Sequence, residues 1–563
     1  MRTYLRKRIF VFVLLIVIGA FSVGGLTYAI FTSSTEQSGT NVITTLDCLN
    51  LTFKNQENII NMENTFPMSD SDAMEKLPYK FTLKNTCPVN LKTEINLESL
   101  SVANAINKNY IKVYFDYFDI EPITSILNSL PNKTATIANA TSKALSTITI
   151  YAYEEKEFEL RMWIKEDVTE AQIGTNINYQ GKITLNISPE ATSGIYGVRR
   201  NVDTSSSAWE RVYASEGLIA NAQFGDTPVQ NDFDNIYPWS DIISYNYNTS
   251  TKTETAQYGD ANFKFDGTNG EVLTRIPEFY YKRYQGTDTK TNITYEYVLI
   301  SEDAKSGFSK SDTFSVGRYT MSGNSSAVHS KSGVQPIVNT TITDFRTYAR
   351  ALGEDFGQLD YRYFILQLLY LVEYADYNSQ DKLGLGHVES LTSTYGGRPV
   401  NSGGTNTLGM KSGTLDGNNA GTSSMIYRGI EDIYGNVWQW VDGINIKEYI
   451  TYICTDPSKY DSINFETNTC YKPVGYTNLT SSDVFPSKLG YDANNPLVAM
   501  PIASGGSSST YITDNYWSNP GNKIALVGGS WYFSTKVGMW TWAVNDTFSD
   551  TSVYRGARLL RYN

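Results

Sequence analysis

The sequence predicts an α+β protein built from three parts: an N-terminal transmembrane helix, a β-sandwich and a large C-terminal domain. Three observations predict this arrangement: an apolar run near the start, short strand-like segments between turns over residues 32–188, and a Gly-, Trp- and Tyr-rich texture from Ile195 onwards. A chain of 563 residues suits two or three domains, each with its own core. The predicted parts are residues 1–31, 32–188 and 195–563, joined by a linker at 189–194.

The apolar run extends from Ile9 to Phe31 without a charge, and basic residues lie within the first eight positions. About 20 apolar residues are enough to span a bilayer. The basic flank predicts a cytoplasmic N-terminus and export of everything that follows. Thr27–Ala29 offers small residues that suit signal peptidase, so a retained anchor and a cleaved signal both remain open.

Residues 32–188 read as short strands separated by turns. Apolar residues occupy every second position over most of two segments, which is the period of a strand buried on one face. Six or more such strands favour a β-sandwich. The predicted strands are Tyr79–Lys84, Leu91–Leu97, Ile111–Tyr117, Thr147–Tyr153, Glu157–Ile164 and Lys182–Ile187.

The start of the chain, with Gly24–Phe31 leading to Thr45–Asp47, resembles exported camelysin-like and biofilm-fibre-like proteins of Gram-positive bacteria. This resemblance covers roughly residues 9 to 188. It implies a surface-displayed β-sandwich, and it leaves open whether the chain assembles into fibres.

The four cysteines divide evenly between the two large parts of the chain. Cys48 and Cys87 lie in the N-terminal part, and Cys454 and Cys470 in the C-terminal part. An even number split in this way suits one disulfide per domain in an exported protein. The net charge of −12 argues against nucleic acid as a partner, since phosphate binding needs a basic face.

Two helices are predicted in the C-terminal part. The first covers Asp344–Leu352 and is followed by Gly353, a suitable residue beyond a helix end. The second covers Tyr361–Tyr374, with Asp360 as its cap. An i, i+4 pattern predicts one buried stripe on the second helix. The stripe residues are Phe364, Ile365, Leu368, Leu369 and Val372.

Three ordered motifs lie within the last 140 residues, at Tyr427–Gly443, Val527–Trp531 and Tyr554–Leu560. Their glycines permit tight turns and their tryptophans supply large rings for a core. Arg558 is expected to be a buried brace, because its fork can satisfy several loop carbonyls at once. The predicted scaffold residues are Trp438, Trp440, Gly528, Gly529, Trp531 and Arg558.

These motifs resemble the formylglycine-generating-enzyme branch of the C-type lectin fold. They look most like the variable proteins of diversity-generating retroelements and related gut-phage tail proteins. Four upstream segments extend the likeness, so that it covers about residues 195 to 563 and implies a C-type-lectin-like domain. The segments are Tyr196–Arg200, Ser207–Arg211, Phe233–Trp239 and Ile276–Lys282.

Catalysis is not expected, because the residues that enzymes of this branch need are missing. Their oxidase chemistry uses a late cysteine pair, and no cysteine lies between Tyr471 and Asn563. Iron-dependent relatives need a histidine set, but His329 and His387 are the only histidines. Ser530 has no histidine near it in sequence. Asn545-Asp546 resembles part of a lectin calcium motif whose other half, Glu-Pro-Asn or Gln-Pro-Asp, is absent, so we expect neither a metal nor another cofactor.

The segment 532–554 mixes aromatic, hydroxyl and amide side chains, as antibody loops do. In the resembled family, adenines of a template are randomised, mainly within Asn codons. That chemistry reaches Tyr, Phe, Ser, Thr, Asp, Val and Arg but not Trp, Met or Lys. Lys536, Met539, Trp540 and Trp542 are therefore expected to be scaffold, unless they vary by another route. The candidate variable, ligand-binding positions are Tyr532, Phe533, Ser534, Thr535, Asn545, Asp546, Asp550, Thr551, Ser552, Val553 and Tyr554.

The expected function is therefore that of a surface receptor or adhesin without catalytic activity. Its partner would be a protein or a glycan on another cell or surface, and its N-terminal segment would attach it to the membrane. Two alternatives are a structural fibre subunit and, less favoured, an enzyme of the formylglycine-generating type. For the segment 532–554 the alternative to a binding surface is a β-rich aromatic core with no ligand.

Overall fold

A computed structural model describes residues 33–36, 42–45, 49–53, 59–63, 66–87, 89–117, 122–173, 178–190, 194–289, 291–389 and 399–562. The fold is mostly sheet, with 41% of the residues in strands and 12% in helices. The protein contains both elements, as the predicted α+β class requires, but strands predominate. None of the described helices is both long and apolar enough to cross a membrane. The predicted transmembrane segment, Ile9–Phe31, lies outside the described residues.

The chain divides into two units. The first comprises residues 1–192 with 285–294, and the second comprises residues 193–284 with 295–563.

The first unit consists mainly of two sheets. One has the strand order Ser33–Glu36, Asn178–Pro189, Leu91–Ser99, Thr141–Ile150 and Asn132–Lys133, with Ile60–Glu63 also on Asn178–Pro189. The other has the order Val42–Thr45, Leu49–Phe53, Tyr79–Asn85, Glu155–Lys165, Ile111–Asp116 and Ile123–Ile126, with Pro67–Met68 parallel to Glu155–Lys165. Two short helices, Asp70–Met74 and Glu170–Ile173, accompany them.

One hydrophobic core contains side chains from both sheets of the first unit. Ile95 and Leu185 come from one sheet, and Phe81 and Phe158 from the other, and all four are almost fully buried. Phe81 and Phe158 are cross-strand partners whose rings stack at 4.9 Å. The six predicted strands are confirmed, with ends that differ by a few residues. The last of them extends to Pro189, where the sequence predicted the linker to begin.

The second unit has several sheets. One has the order Glu210–Tyr213, Ile195–Asn201, Ile293–Ser301, Phe279–Asp288 and Ser309–Ser311, of which residues 285–288 and 293–294 belong to the first unit. A small one has the order Gln223–Phe224, Gly413–Thr414, Met425–Tyr427 and Ile430–Glu431. Two hairpins pair Ser322–Asn324 with Ala327–His329 and Pro486–Leu489 with Pro501–Ser504.

Two larger sheets of this unit carry the predicted motifs. One has the order Thr253–Gln257, Ile243–Asn248, Glu271–Ile276, Phe314–Thr320, Arg558–Tyr562 and Phe356–Gln358. The other has the order Lys472–Pro473, Ile450–Ile453, Trp438–Lys447, Asn522–Val527, Trp542–Asp546 and Tyr516–Ser518, with Arg555–Gly556 parallel to Trp438–Lys447. The Trp-rich motif therefore lies in the middle of a sheet, beside the strand that leads into Gly528.

The helix predicted at Asp344–Leu352 runs from Ile342 to Arg350. It begins earlier because Thr341 caps it: the Thr341 hydroxyl accepts a hydrogen bond from the Asp344 backbone N–H at 3.1 Å. A further short helix covers Ser379–Leu383.

The longest helix of the second unit, Tyr363–Tyr374, is buried on every side. The five residues of the predicted stripe are all buried, and the other residues of the helix are buried as well, because sheets and loops enclose the whole helix. The carboxylate of Glu373 in this helix is paired internally, 2.8 Å from the Arg428 guanidinium. Asp360 does not cap the helix end in the usual way, since the N-cap position is Arg362; Asp360 instead accepts a hydrogen bond from the Arg362 backbone N–H at 2.9 Å.

The C-terminal pair of cysteines forms the expected bond. Cys454 and Cys470 are joined by a disulfide that closes a sequence separation of 16. Cys87 is also disulfide-bonded, whereas Cys48 lies outside the described residues.

Candidate binding surface

A rigid frame lies under the segment 532–554. Trp438, Trp440 and Trp531 are at most 3% exposed. Gly528 and Gly529 both have positive φ, 84° and 68°, which favours glycine. A Cβ on Gly529 would come 2.0 Å from Val537, so the turn also needs glycine for space.

Arg558 is the brace of this frame and is only 1% exposed. Its Nη1 donates to the carbonyls of Gly317 and Arg318, at 2.8 and 3.0 Å. Its Nη2 donates to the carbonyls of Glu431 and Asp432, at 2.6 and 2.8 Å. Its Nε donates to the side-chain oxygen of Gln439 at 2.8 Å, so the guanidinium ties three separate stretches of chain together.

The segment itself crosses between surface and core. A single 3₁₀ turn at Ser534–Lys536 is followed by a buried stretch and then by the strand Trp542–Asp546. Met539, Trp540 and Trp542, which were expected to be scaffold, are at most 3% exposed. Lys536, the fourth residue expected to be scaffold, differs from them, because its side chain is 42% exposed. The backbone N–H of Trp540 donates to the buried carboxylate of Asp514 at 2.7 Å, and burial raises the pKa of Asp514 to about 7.

The candidate variable positions are mostly accessible, and they fall into three groups. Tyr532, Thr535, Thr551 and Val553 are exposed. Six more are half-buried: Phe533, Ser534, Asn545, Asp550, Ser552 and Tyr554. Asp546 differs from all of these, because it is 7% exposed and its carboxylate is paired.

The partner of Asp546 is Arg555. Arg555 Nη2 donates to Asp546 Oδ1 at 2.7 Å, and Arg555 Nε lies 2.7 Å from Asp546 Oδ2. Arg555 Nη1 also donates to the Thr551 carbonyl at 3.0 Å. The pair closes the base of the loop 547–554, which carries five of the candidate positions.

Six rings form what we call the aromatic cluster: Trp438, Trp517, Trp531, Tyr532, Phe533 and Tyr554. Within it, the centroids of Tyr532 and Phe533 are 4.3 Å apart, and those of Tyr532 and Tyr554 are 5.7 Å apart. Phe533 in turn packs edge-on against Trp517 at 5.3 Å and against Trp438 at 5.5 Å. The cluster thus connects the exposed ring of Tyr532 to the buried frame.

Three residues at this surface were missed in the sequence: Trp517, Asp483 and Asn515. They come from outside the predicted segment, and the parallel pairing of Tyr516–Ser518 with Trp542–Asp546 brings Trp517 beside it. Asp483 accepts hydrogen bonds from Asn515 Nδ2 and Lys536 Nζ, both at 2.6 Å. The hydrogen bond from Lys536 lowers the pKa of Asp483. No motif in the sequence marks these positions.

The residues weighed for catalysis lie elsewhere or are enclosed. His329 Nδ1 is 2.8 Å from Glu271, and His387 Nδ1 is 3.1 Å from the Thr422 carbonyl, where burial lowers the His387 pKa. Ser530 is fully buried. In the part of the chain that the structure describes, no group of three or more His, Cys, Asp or Glu side chains could hold a metal ion.

No protein-family model matches the chain, and no curated protein matches it either.

Proposed function

We propose that this protein is a bacterial surface receptor or adhesin whose second unit is a C-type-lectin-like domain of the formylglycine-generating branch. In this proposal the segment 532–554 is a ligand-binding surface diversified by a retroelement. The N-terminal segment exports the chain or anchors it in the membrane, and the first unit is a β-sandwich stalk that raises the second unit from the cell surface.

The observation that carries the proposal is the separation of accessible and buried positions within one short segment. Ten of the eleven candidate positions are exposed or half-buried, whereas Met539, Trp540 and Trp542 between them are buried. A site that tolerates many side chains needs this division, since the fixed residues hold the backbone while the others contact the ligand.

The composition of the surface also favours recognition. Tyr532 is 38% exposed and Val553 is 37% exposed, and the ring of Tyr554 lies beside the Arg555 guanidinium at 5.2 Å. Tyr, Trp and Arg contribute most to binding energy at interfaces. Tyr and Trp bury large areas at low cost in side-chain entropy. The rings of the aromatic cluster are already packed together, so their side chains lose little conformational freedom when a ligand binds.

Diversification is tested by sequencing the genomic neighbourhood of the gene's 3′ end. We expect a reverse-transcriptase gene and a near-copy of the codons for residues 531–556 that differs at template adenines. If neither is found, diversification is wrong for this chain, and a fixed surface binder remains.

Binding is tested with the full chain on a panel of intact bacterial and epithelial cells. Tyr532→Ala should weaken binding at least tenfold, because it removes the exposed anchor of the aromatic cluster. Tyr258→Ala is the matched control, since Tyr258 is also 38% exposed and also packs against neighbouring rings. Equal binding by wild type and Tyr532→Ala, or equal loss in both variants, would contradict the proposal.

A further inference from the structure

A fixed polar pair lies at the edge of the aromatic cluster. Lys536 Nζ and Asp483 Oδ1 are 2.6 Å apart, and their side chains are 42% and 54% exposed. An exposed ion pair of this kind contributes little to stability. Both groups keep hydrogen-bonding capacity toward solvent, since the ammonium has three donors and the carboxylate about four acceptor sites.

One buried residue, Asn515, forms hydrogen bonds with both residues of the pair. Asn515 is 1% exposed, and its Nδ2 donates to the Asp483 carboxylate at 2.6 Å. Its backbone N–H donates to the Lys536 carbonyl at 2.9 Å. Asp483 also has a positive φ of 56°, a backbone conformation that costs free energy for a residue other than glycine. The Asp483 carboxylate and the Lys536 backbone are therefore positioned by the fold, and the Lys536 ammonium is positioned by Asp483.

The pair and the exposed rings share one edge. Trp517 lies close enough to the Asp483 carboxylate to help lower its pKa, and the Trp517 ring packs on Phe533 at 5.3 Å. The Lys536 backbone N–H donates to the Phe533 carbonyl at 3.1 Å, within the 3₁₀ turn. Tyr532 continues the same edge, 4.3 Å from Phe533.

We propose that this edge binds a saccharide, with a sugar ring packed on Phe533 and Tyr532 and two neighbouring hydroxyls bound by Asp483 and Lys536. This inference rests on the proposed function and names the class of its ligand. One hydroxyl donates to the carboxylate while its neighbour accepts from the ammonium, so neither charge is left uncompensated when water leaves. An apolar protein side chain on this edge would desolvate both charges without replacing their hydrogen bonds.

Fixed and variable residues of this surface have different roles in selecting the ligand. Asp483 lies outside the diversified segment, and Lys cannot be reached by replacing the adenines of an Asn codon. Asp483 is thus common to every variant of the surface and helps to select the chemical class, whereas the neighbouring variable positions select among saccharides.

The experiment places the full chain on an array of neutral and acidic saccharides and measures the bound ones by calorimetry. Asp483→Asn and Lys536→Met should each weaken binding of a bound saccharide at least tenfold. The matched control is Lys488→Met, because Lys488 forms a similarly exposed ion pair with Asp203 at 2.5 Å and should change affinity less than twofold. Periodate cleavage of neighbouring hydroxyls in the bound saccharide should abolish binding. Circular dichroism shows that each variant is folded.

The outcomes separate this inference from the proposed function. If no saccharide binds while Tyr532→Ala still weakens attachment to a cell-surface protein, the ligand class is wrong and the binding surface stands. If a saccharide binds and none of Asp483→Asn, Lys536→Met and Tyr532→Ala changes its affinity, the surface itself is wrong. Unchanged affinity in Asp483→Asn and Lys536→Met, with loss in Tyr532→Ala, overturns the polar pair alone.

Discussion

Asp546 and Arg555 pair across the base of the loop 547–554, with Asp546 Oδ1 and Arg555 Nη2 at 2.7 Å. Both side chains are largely buried, with 10% and 13% of their surface exposed. The pair therefore separates a fixed loop base from an accessible loop, and it removes Asp546 from the positions that can contact a ligand.

Asp546→Asn should destabilise the second unit by about 2 kcal/mol. The reason is that Arg555 keeps its charge in a largely buried place and loses its carboxylate. Urea unfolding followed by tryptophan fluorescence measures the change. Thr551→Ala, on the exposed part of the same loop, should stay within about 0.5 kcal/mol, and equal losses in the two variants would contradict the distinction between base and loop.

Arg558→Lys should destabilise the second unit by about 3 kcal/mol or more, although it keeps the charge. A lysine ammonium cannot reach the four carbonyls and the amide oxygen that the guanidinium fork satisfies, so buried acceptors lose their partners. The same urea experiment measures the loss. Arg561→Lys is the control, because Arg561 is partly exposed and lies 2.7 Å from the single carboxylate of Asp355; a loss as large as that of Arg558→Lys would argue against the brace.

The stability of the second unit should depend on pH through Asp514. Burial raises its folded-state pKa to about 7 from an ordinary value of 3.8. Between these values the folded state holds a proton that the unfolded state has released, so stability falls as pH rises, by at most about 1.4 kcal/mol per pH unit, and levels off above the folded-state pKa.

The contribution of Asp514 is isolated by Asp514→Asn, whose amide oxygen can still accept from the Trp540 N–H. The free energy of unfolding of the wild type minus that of the variant should decrease from pH 5 to pH 7.5. A difference that is constant with pH would show that Asp514 titrates alike in both states.

Replacing Cys454 and Cys470 together by serine should lower the free energy of unfolding of the second unit by about 3 kcal/mol. The disulfide closes a loop with a sequence separation of 16, and without it the unfolded chain gains conformational freedom. Chemical denaturation under non-reducing conditions measures the effect. An unchanged midpoint would mean that the loop is equally restricted in the unfolded state.

The sequence predicted the strands of the first unit because burial on one face leaves an alternating pattern. It predicted less about the helix Tyr363–Tyr374, since a period of 3.6 identifies a buried face but not the burial of the opposite one. The glycines and tryptophans of the frame were recognisable because their residue types are restricted by space and backbone conformation. Arg558 was recognisable for a similar reason, as few buried sites accept a guanidinium.

The polar part of the candidate surface was not predictable in this way. Three residues of this surface lie outside the segment 532–554 and belong to no recognisable motif: Asp483, Asn515 and Trp517. Only the pairing of strands in the folded chain places them beside the segment. Codon logic likewise carries no information about pairing, so it does not reveal that Asp546 is buried against Arg555.

The hydrogen bonds of Arg558 also bear on how the protein folds. They connect residues 119 to 241 positions apart in sequence. Closing such long loops costs entropy that is recovered only when the distant strands have met, so contacts of this range form late and make folding slow. Because these distant contacts form late, we expect the second unit to stay unfolded until most of its chain is present. Such slow folding suits a chain that is proposed to cross a membrane before it folds.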